Sequence, residues 1–215
     1  MINGDLFDFW FEWRTVVPRV GFRVLASLAA MTADGTPIVW IAGNHDCWGG
    51  DVLRDEVGVD YLMGPWEGTM AGWRTRIEHG DGMRPVGDRG YRALRSVIRH
   101  PAAITAMRWL HPDVGVWLAR RSSSASRDHR ARDGGAELRS LAMQRLAGNN
   151  APELYVLGHN HVAALERSPQ GGVYANAGSW SEGGTHLLVT ANNIELRSWT
   201  GSAGNNRLNA IDRNP

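Results

Sequence analysis

The sequence predicts an α/β fold built as one domain. Its 215 residues suit a single domain with a sizeable core. Hydrophobic residues make up 43% and charged residues 21%, which is ordinary for a globular protein. Several short apolar runs end in glycine followed by polar residues. Buried strands of an α/β sheet have this pattern, because their carboxyl ends carry the functional loops.

The elements follow in chain order. The opening "MIN" is a stub of a strand that ends at Gly4-Asp5, and "RTVVPRVGFRVLASLAAMTADG" predicts a helix ending near Asp34. "TPIVWIAGNHD", "WRTRIEHGDG" and "ELYVLGHNH" each predict a strand with a polar end. "GGVYANAGSW" and "THLLVTANNIELRSW" predict further, antiparallel strands. We expect the domain to cover 1–200 and the Gly- and Asn-rich tail, 201–215, to be loose.

A helical insertion interrupts this α/β pattern. The stretch at about 84–145 has helical spacing, is broken at Pro101 and Pro112, and mixes apolar residues with arginine. The chain contains no lysine, and residues 84–132 hold eleven Arg against three Asp, a local balance of +8. We therefore expect a cap whose surface faces anions: phosphate, nucleic acid or lipid headgroups.

Composition also excludes several classes. The single Cys47 excludes an internal disulfide framework and fits a reducing compartment. Cys47 directly follows "GNHD", but a catalytic thiol needs an activating environment, so we interpret it as a small residue in a tight loop. No apolar run is long enough to span a bilayer, and no secretory signal is visible.

Residue types that bind metals occur at four predicted strand ends. One histidine at a strand end is more often a hydrogen-bonded structural residue, but four such junctions indicate a common site. Strand carboxyl ends converge on one crevice in an open α/β sheet. Carboxylate, amide and imidazole ligands suit a divalent ion such as Mn, Fe, Zn or Mg. The residues are Asp5, Asn44, His45, Asp46, His79, Asp81, His159 and His161.

The ordered motifs GD-x-x-D, GNHD, HGD and GH-x-H resemble the calcineurin-like metallophosphoesterase family from Met1 to Leu188. The resemblance implies a two-sheet β-sandwich flanked by helices, and hydrolysis at a two-metal site. Manganese is the first expectation, with iron, zinc and magnesium as alternatives. By the same resemblance, Asp5 bridges both ions, Asn44, His79 and His159 complete the second metal, and His161 belongs to the first.

Catalytic roles also follow from the resemblance. His45 would lie near the scissile phosphate as an acid or charge stabiliser, oriented by Asp46. Asp8 and Asp81 are candidates for residues that orient the metal ligands. An equally good interpretation is that they are turn or capping residues.

The family's first motif, Asp-x-His, is missing upstream of Asp5, so only the second metal has its full ligand set here. His100, His111, His129 and His186 are the other histidines, and none lies in an Asp-x-His context. We expect that the fold lacks its first strand because the recorded start is late or the chain is a fragment. The alternative is a real truncation that holds one metal or none.

Within the family, four stretches resemble the UDP-2,3-diacylglucosamine hydrolases. They are "GDLFDFWFEW", "HGD" followed by Asp88 and Tyr91, "LARRSSSASR" and "NAGSW". This implies cleavage of a nucleotide-linked lipid to UMP and 2,3-diacylglucosamine 1-phosphate in lipid A biosynthesis. It also implies a cytoplasmic protein, peripheral on the inner membrane through its cap. Two features depart from that group: His45 replaces an arginine, and the cap acid is displaced by about one residue. The substrate-binding residues would be Asp88, Arg89, Tyr91, Arg120 and Arg121.

Two other functions stay open. A general calcineurin-like phosphodiesterase or nuclease would use the arginine block on a nucleic acid backbone, although we expect lipid rather than nucleic acid as the partner. A degenerate, non-catalytic domain would explain the missing Asp-x-His motif.

Overall fold

A computed structural model describes residues 1–127, 133–201 and 204–213, without the side chains of Arg120 and of 122–127. The helices are α1 (Phe22–Ala33), α2 (Arg89–Ile98), α3 (Pro101–Trp109), α4 (Pro112–Arg127), α5 (Ala136–Leu146) and α6 (Trp180–Gly183). The strands are β1 (Ile2–Asn3), β2 (Val39–Ile41), β3 (Asp60–Leu62), β4 (Trp66–Met70), β5 (Trp73–Ile77), β6 (Leu154–Leu157), β7 (Ala164–Arg167), β8 (Val173–Asn176), β9 (Thr185–Val189), β10 (Asn193–Trp199) and β11 (Asn205–Asp212). A π-helical turn spans Val52–Glu56.

The chain divides into two compact units. The first unit comprises Met1–Gly64 and Asp81–Arg130, and the second comprises Pro65–Gly80 and Ala131–Pro215. The polar residues predicted as ligands are therefore shared between the units, and each unit is described by itself below.

The first unit contains a parallel sheet in the order β1-β2-β3. Ile2 pairs with Trp40, so the residues that follow β1 and β2 leave the sheet at the same edge. Trp10, Trp40 and Leu53 are fully buried and belong to one hydrophobic core cluster of this unit. The short β1 and β2 thus bring Asp5 and the GNHD loop into one neighbourhood.

The cap of the first unit consists of α2, α3 and α4. Prolines begin α3 and α4, at the positions where the sequence predicted helix breaks, because proline suits the first helical turn. The predicted cap boundary, about 84–145, is too long. Helix α5 instead packs on β6 and β8 of the second unit. Its buried Leu138, Ala142 and Leu146 recur every fourth residue and form an apolar stripe that the sheet covers.

The second unit contains a five-stranded sheet in the order β4-β5-β6-β8-β7. Strands β5, β6 and β8 are parallel neighbours, so the polar ends of β5 and β6 lie side by side. The expectation that the "GGVYANAGSW" strand is antiparallel is only partly right, because β8 runs parallel to β6 and antiparallel to β7. All four residues of β6 and of β8 are buried, as expected for strands covered on both faces.

The C-terminal segment is not a loose tail over its described part. Strand β11 pairs with β10 from Asn193 with Asp212 to Trp199 with Asn205, with one irregularity in register between Leu196 and Arg197. Most of its side chains are exposed and polar, so backbone hydrogen bonds rather than an apolar face hold it. Composition therefore gave no signal of this strand. It completes a second, antiparallel sheet in the order β11-β10-β9.

The α/β class is confirmed, with mixed sheets flanked by helices. The described strands are arranged in the orders β1-β2-β3, β11-β10-β9 and β4-β5-β6-β8-β7. Within the described residues, no helix is both long and apolar enough to cross a bilayer.

Candidate metal centre

In the first unit, Asp5 lies against the GNHD loop. The His45 backbone N–H donates a hydrogen bond to Asp5 Oδ1 at 2.9 Å. Gly43 allows this approach, since a Cβ on it would lie 2.2 Å from the same oxygen. The Asp5 carboxylate is therefore held beside the residues Asn44 and His45 that the family motif pairs with it.

Asp46 is fully buried and braces these two loops. Its Oδ1 accepts a hydrogen bond from the Gly43 N–H at 2.6 Å. Its Oδ2 accepts from the Leu6 N–H and from Trp40 Nε1, both at 3.0 Å. A carboxylate that accepts several N–H groups is a strong local anchor. Asp46 thus joins the loop after β1 to the loop after β2.

The His45 ring contacts the backbone of Asp8 in the loop after β1. Its Nδ1 lies 2.9 Å from the backbone carbonyl oxygen of Asp8. A carbonyl oxygen can only accept, so Nδ1 carries the proton and Nε2 is the nitrogen left for proton exchange or charge stabilisation. Asp8, which had been a candidate orienting residue, contributes through its backbone, and Asp46 acts on the loop that carries His45.

In the second unit, neighbouring strands present two histidines. His79 follows β5 and is buried, and His159 follows the adjacent β6. Their ring centroids are 5.3 Å apart, and one nitrogen of each ring lies within 4.8 Å of the other. The Gly158 N–H donates to the His79 carbonyl at 2.9 Å, which ties the two loops together. Two imidazoles this close fit a borderline divalent ion such as Mn, Fe or Zn.

Asn176 braces the GHNH loop and was missed as a functional residue in the sequence. It is fully buried at the end of β8. Its Nδ2 donates to the Gly158 carbonyl at 3.1 Å and to Asn160 Oδ1 at 2.8 Å. Its Oδ1 accepts from the Gly178 N–H at 2.8 Å. The signal was available, because Asn176 is a polar residue that ends an apolar strand, as the predicted ligands do.

The backbone is strained at three of the predicted ligands. Asp5, His159 and His161 have φ values of 53°, 65° and 59°. Non-glycine residues rarely adopt this left-handed region, and such outliers cluster at functional sites. In both units the described backbone thus holds predicted ligands in conformations that stability alone would not favour.

Two predicted substrate-binding residues are engaged inside the cap. Asp88 is buried and pairs with Arg84, whose Nη2 lies 2.7 Å from Asp88 Oδ1. The Tyr91 hydroxyl donates to Asp81 Oδ2 at 2.6 Å. Burial raises the pKa of Tyr91, and the neighbouring Asp81 carboxylate adds to this rise, so the hydroxyl stays protonated.

The predicted arginines lie on exposed helix surface. Arg89 begins α2, and the Arg121 guanidinium lies 5.7 Å from the centre of the Trp117 ring. The side chain of Arg120 lies outside the described residues. The geometry leaves the roles of Arg89, Arg120 and Arg121 as predictions.

The other histidines and the cysteine have local roles where they are described. His100 and His111 accept hydrogen bonds from the Ala102 and Asp113 N–H groups at the starts of α3 and α4. His186 Nδ1 lies 3.3 Å from the Gly184 carbonyl, and His129 lies outside the described residues. Burial raises the pKa of Cys47 to about 11, as expected for an unreactive thiol.

Comparison with known proteins defines the class. The family model for calcineurin-like phosphoesterases matches residues 1–163, so the chain belongs to this family. Family membership implies divalent metal ions. A protein of Porphyromonas gingivalis named UDP-2,3-diacylglucosamine hydrolase is 37% identical over 124 residues, which cover 58% of this chain and only 47% of that protein.

Relatives of the same name align over more of the chain. The Escherichia coli protein is 28% identical over 206 residues, covering 91% of this chain and 82% of the relative. The Aeromonas hydrophila protein is 27% identical over 202 residues, covering 87% and 79%. Among solved structures, vacuolar protein sorting 29 of Cryptosporidium parvum is a weak match, with 13% identity, TM-score 0.42 and coverage of 98% and 95%. The family and these named relatives indicate a hydrolase.

Proposed function

We propose that this chain hydrolyses the pyrophosphate bond of UDP-2,3-diacylglucosamine, giving UMP and 2,3-diacylglucosamine 1-phosphate. The oxygen of water bonds to one phosphorus, and the bond between that same phosphorus and the bridging oxygen breaks. The bridging oxygen leaves with the other phosphate, and the water releases a proton as it attacks. The observation that carries this proposal is the ordered motif set. It runs through a chain whose relatives bear the name of that hydrolase at 23–37% identity.

The proposed metal ligands are Asp5, Asn44, His79 and His159 for one ion, with His161 and Asp5 serving another. Support comes from each unit separately. In the first unit, Asp5 and the Asn44 loop are bound together by the His45 N–H. In the second, the paired His79 and His159 rings match imidazole ligation. We propose manganese as the native ion, with iron, zinc and magnesium as alternatives to be tested.

Divalent ions bound to these ligands would polarise a phosphoryl oxygen and lower the pKa of an attacking water. The chain itself supplies the proton chemistry. His45, with its Nδ1 proton held by the Asp8 carbonyl, can accept a proton at Nε2. The imidazolium so formed can stabilise charge on the phosphate or give that Nε2 proton to a leaving oxygen. The Asp46 carboxylate keeps the His45 loop beside Asp5.

The cap suits a lipid substrate better than a nucleic acid. Leu94, Val97, Trp117 and Leu118 are exposed on its helices, alongside Arg121. Apolar residues interspersed with arginine match an amphiphile, whereas a nucleic acid surface would need charge without so much exposed apolar area. We propose that the cap receives the acyl chains and contacts the cytoplasmic face of the inner membrane.

Within the cap, we propose that Tyr91 and Arg89 contact the sugar and phosphate, and that Arg120 and Arg121 bind the pyrophosphate or lipid headgroups. Asp88 would contact the sugar while remaining paired with Arg84. This pairing orients the Asp88 carboxylate, so Arg84→Ala should raise the KM for the lipid substrate with a smaller change in kcat.

The deciding experiment supplies the full chain with Mn²⁺ and either UDP-2,3-diacylglucosamine or a simple phosphodiester. We expect UMP to be released from the lipid. The variant His45→Ala should abolish this release, and Leu208→Ser on exposed β11 should not. Turnover of the simple phosphodiester or of RNA without the lipid would instead establish a general phosphodiesterase. Turnover of neither substrate, with metal bound, would establish a non-catalytic domain.

A further inference from the structure

A second apolar surface lies outside the cap, in the segment 14–24, which we call the valine loop. Phe22 is 72% exposed and Val20 is 54% exposed, and Val16 and Val17 also face solvent. Single exposed apolar side chains are common, but four within seven residues form a patch. The core leaves these side chains uncovered, so they are available to a partner.

The loop holds these side chains outward on a fixed backbone. The Trp13 N–H donates to the Val16 carbonyl at 3.2 Å and closes the first turn. Gly21 has φ of 87°, and a Cβ on it would lie 2.1 Å from the ring of Phe7, which is buried in the core. The backbone at Gly21 therefore packs directly on Phe7, and Val20 and Phe22 on either side project away from it.

The charge of the loop identifies its partner. Arg14, Arg19 and Arg23 are exposed, and no acidic residue occurs from Trp13 to Ala33. Among the described residues, no carboxylate forms an ion pair with Arg19 or Arg23. Exposed apolar side chains next to arginines that form no ion pair are typical of segments that bind anionic membrane surfaces.

Trp109, at the end of α3, extends the same surface. It is 80% exposed, and the Arg14 guanidinium lies 6.0 Å from the centre of its ring. Tryptophan and arginine both place an apolar body in the lipid interface with a polar group toward water. Trp109 thus adjoins the Arg14 end of the valine loop, and the two together are called the basic apolar patch of the first unit.

We propose that this patch docks the protein on an anionic phospholipid bilayer, with Val20 and Phe22 entering the headgroup region and Arg19 and Arg23 binding the phosphates. This contact is separate from the cap helices α2 and α4. It does not depend on which phosphoester is hydrolysed, so it can be tested without metal or substrate.

The test is co-sedimentation of the full chain with vesicles of phosphatidylcholine alone, or of phosphatidylcholine with phosphatidylglycerol. We expect Val20→Ser/Phe22→Ser to lower the partition coefficient on the anionic vesicles by about tenfold or more. Arg19→Ser/Arg23→Ser removes two cationic contacts and should cost about tenfold or more on the same vesicles. Leu208→Ser, an equally exposed apolar residue of β11, is the matched control and should bind as wild type.

The supporting result is wild-type binding to anionic vesicles that weakens as salt is added. The same binding must weaken in both loop variants but not in the control. Three results would overturn the proposal: absence of wild-type binding, loop variants that bind like wild type, or loss confined to Trp117→Ser on α4. Circular dichroism of each variant separates lost docking from lost folding. Because vesicle binding is measured without catalysis, its failure would leave the proposed hydrolase activity untouched.

Discussion

Replacing Asp46 by asparagine tests whether this carboxylate joins the loops that carry Asp5 and His45. Asparagine keeps the shape of the side chain but turns one acceptor oxygen into an NH2 donor. In the structure, one carboxylate oxygen faces the Gly43 N–H and the other faces the Leu6 N–H and Trp40 Nε1. Either orientation of the amide therefore places two donors against each other at one of these positions.

The expected loss follows from these contacts. A hydrogen bond to a charged group is worth roughly 1.5–3 kcal/mol, and a buried donor left unsatisfied costs roughly 1–3 kcal/mol. Asp46→Asn loses at least one such bond and buries at least one unsatisfied donor. We expect the free energy of unfolding to fall by about 3 kcal/mol, together with lower hydrolase activity.

Urea unfolding followed by tryptophan fluorescence measures this loss, because Trp10 and Trp40 lie in the core of the same unit. Asp51→Asn is the matched control, since its side chain is 88% exposed and pairs only at the surface with Arg54. That control should change the free energy by less than about 0.5 kcal/mol.

A specific result would refute the reasoning. If Asp46→Asn lowers activity strongly while the free energy of unfolding falls by less than about 1 kcal/mol, Asp46 acts directly on the His45 ring. In that event its role would be the orienting one implied by family resemblance, and the hydrogen bonds to the loop backbone would be secondary.

Four further predictions concern the remaining site residues. Asn176→Ala should lower the free energy of unfolding by roughly 2 kcal/mol and weaken Mn²⁺ affinity about 10–100-fold, because it frees the GHNH loop. His79→Ala should remove bound metal, measured by elemental analysis after dialysis. Tyr91→Phe should cost roughly 1.5–3 kcal/mol, measured by urea unfolding, because it deprives buried Asp81 of a donor. Cys47, with its pKa raised to about 11, should react with Ellman's reagent at pH 8 only when the chain unfolds.

Each of these has a control and a contrary outcome. Exposed Asn206→Ala should leave stability near wild type, and exposed His100→Ala should leave metal content near wild type. Metal content unchanged in His79→Ala would remove that residue from the ligand set. Stability unchanged in Tyr91→Phe would show that Asp81 relies instead on Arg95 and Arg99, whose guanidinium nitrogens lie 3.4 Å and 3.5 Å from its Oδ2. Rapid labelling of folded Cys47 would contradict its burial, and full activity of Cys47→Ala is expected alongside slow labelling.

The sequence predicted best where apolar runs and motifs coincided. The strands before Asn44, His79 and His159, and the end of α1 at Asp34, lie where the pattern placed them. Most residues of these strands are buried, so their composition directly reflects the packing that forms them. Proline positions likewise predicted the starts of α3 and α4, because proline restricts the backbone wherever it occurs.

Prediction failed where tertiary context decides. Strand β11 is polar and Asn-rich, and only the ladder with β10 makes it a strand. The sequence shows no boundary between the arginine-rich stretch and helix α5. Only the contacts of α5 with β6 and β8 show that it does not belong to the cap. Asn176 contacts Gly158 and Asn160 of a loop that lies 18 and 16 residues earlier in the chain, so no local pattern could reveal these partners.

The left-handed backbone at Asp5, His159 and His161 has a consequence for directed evolution of this chain. Glycine adopts such conformations without steric cost, so glycine at any of these positions would relax the fold while deleting a proposed ligand. A library selected for heat resistance alone should therefore accumulate glycine or asparagine there. The same library selected for turnover should retain the original residues, and comparing the two outcomes would locate the catalytic centre without any substrate analogue.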